Sequence, residues 1–433
     1  MSTRLLIRGG RVIDPSQRKD RITDLLVEDG RIAAWDPGRI ESAQVFNAEG
    51  LIIAPGLVEL HAELREPGWE EDETIETGLR AAVRGGFTSV GCLPNTEPPI
   101  DTPAGMQFVQ AKARQAKLAK AYVIACISQN REGQQLAEIG GLAETGAVAF
   151  SDADRPVQNA ALFRRALQYC QMFDRPVINF PDVQELSRRG VMHEGLVSTV
   201  LGLPAIPSAA EDVMTGRDLR LAEATGGRLH LANISSGGSV ELIRRFKARG
   251  IPVTASTSIV HCVLTDETLR SFETRFKIHP PLRDSTDVES CVSGLIDQTI
   301  DVISSGHAPR AAEKKMLELD RAPFGMSGLE TCLSLAATYL VRTGRLEWLS
   351  LLERLSTAPA RVLDIPAGSL QEGAAADIVA IDPQAEWTVQ PQQFASKCNS
   401  SPLDGERLYG QVAVTWVDGQ PAFRSDEAAD RWL

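Results

Sequence analysis

Histidine and aromatic residues are scarce in this chain. Six histidines and 5% aromatics are spread over 433 residues, so a site made of clustered imidazoles has few places to form. A basic block is also missing. Lys+Arg number 45 against 57 Asp+Glu, a formal charge of −12. An acidic chain of this kind excludes nucleic acid and anionic membrane surfaces as natural partners. Long apolar runs are absent too. The longest, near Cys332–Val341, falls well short of the roughly 20 residues needed to cross a bilayer. The opening stretch MSTRLLIRGGRVIDP has no apolar core and no small-residue cleavage site, so no secretory signal is expected. Cys92, Cys126, Cys170, Cys262, Cys291, Cys332 and Cys398 are scattered, without a C-x-x-C pair. An odd, unclustered set points to buried free thiols in a reducing compartment, and a cytoplasmic location is expected.

What is present is ordinary globular composition, 43% apolar and 24% charged, which excludes disorder. The two ends share a style. Leu5–Ile7, Arg11–Ile13, Asp24–Glu28 and Arg31–Trp35 read as short strands, with Asp29-Gly30 as a hairpin turn. Near the other end, Ala376–Asp382, Gln411–Val417 and Gln420–Phe423 repeat the pattern around Asp418-Gly419. One β domain built from residues 1–54 and 366–433 is expected. In the middle, residues 55–365, apolar strands alternate with helical stretches. The strands are Leu57–Glu63, Phe87–Leu93, Ala121–Ile127, Ala147–Ser151, Pro176–Phe180, Leu229–Ile234, Val253–Ser256 and Asp301–Ser304. Helices Thr74–Arg84 and Ser239–Arg249 stop on Gly85-Gly86 and Gly250. Eight strands with intervening helices predict an α/β fold, a (β/α)₈ TIM barrel, whose functional groups follow the strand ends.

The strand ends carry the following residues, in order. His61 and Glu63 lie two apart on the first strand and so share the interior; both are possible metal ligands. A lone His-x-Glu is nevertheless a weak signal. Asn95 follows the second strand, where it is also a good turn residue. Asp152 and Asp154 follow the fourth, where a helix cap is the plainer reading. Asn179, Phe180 and Asp182 end the fifth. Asn233 ends the sixth, where satisfying backbone groups would explain it. His261 follows the seventh and His307 the eighth; either could be an ordinary polar side chain. Their shared position at one end of the barrel favours a site.

At these residues the chain resembles the amidohydrolase superfamily and, within it, the bacterial dihydroorotases. Ala54-Pro55-Gly56-Leu57-Val58-Glu59-Leu60-His61 is similar to the family's opening strand, and Leu64-Arg65-Glu66-Pro67-Gly68 follows as expected. Gly85-Gly86-Phe87-Thr88, Pro94-Asn95-Thr96, Gly190-Val191-Met192, Leu201-Gly202-Leu203-Pro204, Pro280-Pro281-Leu282-Arg283, Ala322-Pro323-Phe324-Gly325 and Ser401-Pro402-Leu403-Asp404-Gly405 match along the chain. The resemblance implies interconversion of N-carbamoyl-aspartate and dihydroorotate on one or two Zn²⁺ ions with a general-base aspartate. It also implies that Arg65, Asn95 and His307 hold the substrate.

The departures are concentrated at the metal. The family's His-x-His is His61-Ala62-Glu63 here. Asp152 is kept. Phe180 and Asn233 stand where the resemblance implies histidines, and Gly306 stands where it implies the catalytic aspartate. His279 replaces an asparagine, and Arg310 the last histidine of the motif after strand eight. Loss of acid–base help typically costs about 10²–10⁴-fold. The expectation is therefore a pseudoenzyme with no catalytic residue, no cofactor and no resident metal. In this the chain resembles the inactive dihydroorotase-like chains that associate with aspartate carbamoyltransferase in some bacteria, a resemblance that implies a non-catalytic subunit in a complex with the aspartate carbamoyltransferase catalytic chain, as a homo- or hetero-oligomer. The alternative is a cyclic-amide hydrolase with one Zn²⁺ on His61, Glu63 and Asp152. Binding of dihydroorotate or carbamoyl-aspartate without turnover is a third possibility. The charged segment Arg310–Arg321 is left open between disorder and a partner-facing loop.

Overall fold

The computed structural model describes residues 4–38, 40 and 42–432. Residues 1–3, 39, 41 and 433 of the expected end-built β domain lie outside the described residues. Five strands come first: β1 (Arg4–Asp14), β2 (Lys19–Glu28), β3 (Arg31–Trp35), β4 (Gln44–Asn47) and β5 (Ile52–Pro55). The barrel follows with β6 (Leu57–Ala62), β7 (Phe87–Cys92), β8 (Lys120–Ala125), β9 (Ala149–Phe150) and β10 (Val177–Asn179). A short parallel pair, β11 (Met192–His193) and β12 (Ala205–Ile206), interrupts it. The barrel resumes with β13 (Leu229–Leu231), β14 (Val253–Ser258) and β15 (Val302–Ser304), and β16 (Ile378–Thr388), β17 (Arg407–Val417) and β18 (Gln420–Arg424) end the chain.

β6 to β10 and β13 to β15 pair in parallel, in chain order, as the predicted eight-stranded barrel. Every residue of β6 and β7 is buried, as expected of strands covered on both faces. The barrel is drawn shut between its first and last strands by backbone contacts and one carboxylate. Glu63 N–H donates to His307 O at 3.1 Å. Glu59, wholly buried, accepts from the Ser305 amide at 2.8 Å and from the His61 amide at 3.2 Å. Burial pushes its pKa up to about 7.

Helix Ile75–Arg84 starts on Thr74, whose Oγ1 accepts from the Thr77 amide at 3.2 Å. It stops at Gly85, where a Cβ would come within 2.1 Å of Leu329 O. The second predicted helix begins earlier than Ser239, at Gly237, because Ser236 Oγ caps it by accepting from the Gly238 amide.

The other sheet joins both ends of the chain. β5 pairs with β1 on one side and with β16 on the other. Leu5–Ile7 and Arg11–Ile13, read as two strands, form one. Gly9 and Gly10 make a register shift in β1 rather than a turn, and Gly9 donates its N–H to Asp24 Oδ1 at 2.8 Å. The seven cysteines are buried and unpaired. Among the described residues no helix is long and apolar enough to cross a membrane.

Candidate functional site

A cavity of about 400 Å³ opens at the C-terminal ends of the barrel strands. Its wall includes His61, Glu63, Phe180, Asn233, Gly306 and His307. Asp154, Asp182, Arg188, His279, Arg310 and Phe324 also line it. The barrel topology thus brings together most positions singled out from the sequence. Asn95 and Arg65 are not among the lining residues; Leu93 is the wall residue from the end of the second strand.

At the floor, one hydroxyl serves two imidazoles. Ser256 Oγ lies 3.1 Å from His61 Nε2 and 3.0 Å from His230 Nε2, and accepts from the Asn233 amide at 3.3 Å. His230 Nδ1 contacts Thr254 Oγ1 at 2.8 Å. The Phe180 ring meets His61 edge-on, 5.1 Å between centroids. Burial holds both imidazoles neutral, with the His61 pKa lowered to about 4 and that of His230 well below its ordinary value.

The remaining family metal positions are equally committed. Asp152 accepts from the Ile127 amide at 2.8 Å, from the Ser128 amide at 3.0 Å, and from the Ser128 hydroxyl. Burial raises its pKa. It ties two strand-end loops together rather than capping a helix. Asn233 Oδ1 accepts from Ser304 Oγ at 2.8 Å. Gly306 has φ +67°, and a Cβ there would lie 2.4 Å from Ser258 Oγ and 2.9 Å from Met326 Cε. Glu63 is ion-paired with Arg65. Three protein ligands and one open position are the usual need of a catalytic zinc. Among the described residues no group of three His, Cys, Asp or Glu converges on such a point. The residues present do not fit a zinc ion, including on His61, Glu63 and Asp152.

The expected substrate residues have specific surroundings. Arg65 is 3% exposed; its Nε donates to Pro309 O at 3.2 Å and its Nη2 faces Glu63. Asn95 is equally buried, and neither its Nδ2 nor its Oδ1 has a partner. A buried amide with both ends unmet is unusual and points to a missing partner. His307 has one ring nitrogen hydrogen-bonded and the other without a hydrogen-bond partner. Its Nδ1 accepts from the Gly328 amide at 3.4 Å, and its Nε2 lies 3.6 Å from Glu73 Oε2.

At the outer wall, His279 Nε2 lies 3.8 Å from Asp182 Oδ2, and Phe324 meets the imidazole edge-on at 5.3 Å. His261 faces away: its Nε2–H donates to Pro280 O at 2.9 Å, and burial lowers its pKa to about 4. For Asp154, burial pushes the pKa up, but Arg131 and then Arg65 outweigh it and the net shift is downward. The Arg310–Arg321 segment is ordered, with a helical turn at Ala312–Lys315. Lys315 Nζ anchors it on Lys277 O, Pro323 O and Gly325 O at 3.0–3.2 Å. Arg310 Nε donates to Phe324 O at 3.0 Å.

Ser256, His230 and Glu59 were missed as site residues. The sole sequence signal was an imidazole or carboxylate set inside an otherwise apolar strand, as in Leu229-His230-Leu231 and Val58-Glu59-Leu60.

A family model described as dihydro-orotase-like matches residues 50–241. A dihydroorotase from Pelotomaculum thermopropionicum is 48% identical over 418 residues, covering 96% of this chain and 98% of that one. A dihydroorotase from Syntrophus aciditrophicus is 44% identical over 426 residues, covering 98% and 100%. Among solved structures, the L-hydantoinase (dihydropyrimidinase) from Arthrobacter aurescens superposes with a TM-score of 0.88 at 22% identity, covering 98% of this chain and 96% of that one, a likeness of fold. The expectation of a pseudoenzyme is corrected by these relatives. Proteins 44–48% identical over nearly the whole chain carry the name of a hydrolytic enzyme. The chain belongs to the dihydroorotase-like family of the amidohydrolase superfamily.

Proposed function

We propose that this chain acts at the barrel mouth on six-membered cyclic amides of the dihydroorotate kind and on their ring-opened ureido acids, as a hydrolase of the ring C–N bond. The carrying observation is the 400 Å³ cavity at the C-terminal face, of a size for one small ring. The dihydroorotase relatives support the reaction class. No step is assigned to a metal, because the donor set does not fit one. The chain's own residues do the following in this reading. Phe180 and Phe324 flank the ring and exclude water. His279, beside Asp182, takes a proton from the attacking water. As the C–O bond forms and the C–N bond breaks, it passes that proton to the ring nitrogen. Incubation with L-dihydroorotate and N-carbamoyl-L-aspartate, followed by chromatography, tests this. Ring opening that persists in chelator and is lost in His279→Ala is expected. No turnover and no binding of either compound at millimolar concentration would overturn it.

The proposal extends to a cytoplasmic association with an aspartate carbamoyltransferase catalytic chain, whose product is that ureido acid. Exposed Leu186, Leu196, Val200 and Val213, all in the stretch after the fifth barrel strand, offer apolar surface for a partner. Purification from native cytoplasmic lysate should bring down the carbamoyltransferase. A chain recovered alone, beside a fully active carbamoyltransferase, would refute the association.

A further inference from the structure

Lys315 is a buried ammonium, 7% exposed, at the end of the helical turn that follows the last barrel strand. Among the described residues no carboxylate is ion-paired with it. Burial lowers its pKa to about 8, which leaves it charged at neutral pH. Such a charge is costly to keep out of water unless its three N–H groups are met. Main-chain carbonyls meet them: Lys277 O at 3.2 Å, Pro323 O at 3.1 Å and Gly325 O at 3.0 Å.

Two of those carbonyls flank Phe324. The carbonyl of Phe324 itself accepts from Arg310 Nε at 3.0 Å, so two cations hold three successive carbonyls. A third cation meets the ring, with Lys277 Nζ 4.9 Å from its centroid. The next residue is fixed as well. Gly325 has φ +139°, and a Cβ there would lie 2.2 Å from Ala308 O. Its N–H donates to Lys277 O at 3.1 Å. Pro323, Phe324 and Gly325 all line the cavity. There the Phe324 ring stands edge-on to His279, 5.3 Å between centroids, while His279 Nε2 lies 3.8 Å from Asp182 Oδ2.

We propose that Lys315 is a positioning residue for the cavity: through Pro323 O and Gly325 O it sets the Phe324 ring, and the ring sets the imidazole of His279. The proposal rests on the reading of His279 as the proton carrier in ring opening, and adds the residue that places it. Misplacing a reacting group by about 1 Å can cost about 10²-fold in rate. Lys315→Met keeps the length of the side chain and removes its donors. In the full chain it should lower kcat for ring opening of L-dihydroorotate at least about tenfold. In a Phe324→Ala background the same change should cost less than about twofold more, because Lys315 acts through that ring. Imidazole NMR gives a second readout that needs no turnover. The His279 ring signals should move in Lys315→Met towards those of Phe324→Ala, while those of His61 and His230 at the barrel floor stay in place. Should Lys315→Met not fold, Lys315→Gln, which keeps two donors, is read in the same way. Unmoved His279 signals, signals of all three histidines moving together, or losses that multiply in both backgrounds would overturn the proposal and leave the cyclic-amide reading standing. A wild type that neither turns over nor binds dihydroorotate at millimolar concentration would remove that reading, and the His279 signals would still decide whether Lys315 holds Phe324.

Discussion

Replacing Ser256 with alanine should destabilise the protein far more than one lost hydroxyl on an exposed surface. The side chain is fully buried and contacts two imidazole nitrogens and one backbone amide. A hydroxyl has one proton and two lone pairs. It can therefore donate to one Nε2 while accepting from the other and from Asn233. Removal leaves two buried ring nitrogens without their partner, each costing about 1–3 kcal/mol. The Asn233 contact is long and adds little. The expected loss is about 3 kcal/mol. Ser258 supplies the control. It lies two residues further on the same strand, and its Oγ is buried with no partner. Ser258→Ala should cost nothing and could gain up to about 1 kcal/mol. Urea unfolding at pH 7.5, followed by tryptophan fluorescence, gives both midpoints. Equal midpoints for the two variants, or a change under about 0.5 kcal/mol for Ser256→Ala, would show that the shared hydroxyl does not hold the barrel floor.

Protein grown with zinc should retain less than about a tenth of an equivalent by elemental analysis; one tight equivalent lost in Asp152→Asn would refute the donor-set argument. Gly306→Asp should cost about 2–4 kcal/mol in the same urea assay, because its Cβ meets Ser258 Oγ at 2.4 Å from a backbone at φ +67°; a neutral result would show room that the backbone does not offer. His261 is neutral in the fold with a pKa of about 4, below its ordinary 6.5. Its contribution is thus complete above about pH 6.5 and lost as the pH falls towards 4. The stability gap between wild type and His261→Gln should narrow by roughly 2 kcal/mol from pH 7 to pH 5, and a constant gap would contradict the burial argument.

Periodicity made the barrel legible. Each of its eight strands is a short apolar run between turn signals, and each run is a barrel strand in the structure. Local rules failed where the partner is distant. Gly9-Gly10 looks like a turn, yet β2 is present to turn it into a bulge. Period two correctly placed His61 and Glu63 on one interior, but only the fold shows that Glu63 is spent on Arg65. Asp152, from its place in the sequence, suits a ligand or a helix cap. Its real partners, Ile127 and Ser128, come from the end of the neighbouring strand and leave no spacing signature. Ser256 belongs to no motif at all. Subtracting ligands led to the expectation of no enzyme, and similarity along the whole chain overturned it.

The pairing of β5 with β16 has a consequence for how the chain is made. β5 leaves the ribosome early and β16 late, with the entire barrel between them. Until β16 arrives, β5 presents an unpaired hydrophobic edge, Ile52-Ile53-Ala54, at the very entrance to the barrel. Such an edge is a template for wrong strand pairing. The nascent barrel must therefore complete itself beside an open sheet that only the last-made part of the chain can close. A chain truncated before Ile378 would keep the barrel strands and lose the closing one. Ribosome-bound chains halted on either side of β16 should accordingly differ sharply in aggregation and in protease cutting near Ile52.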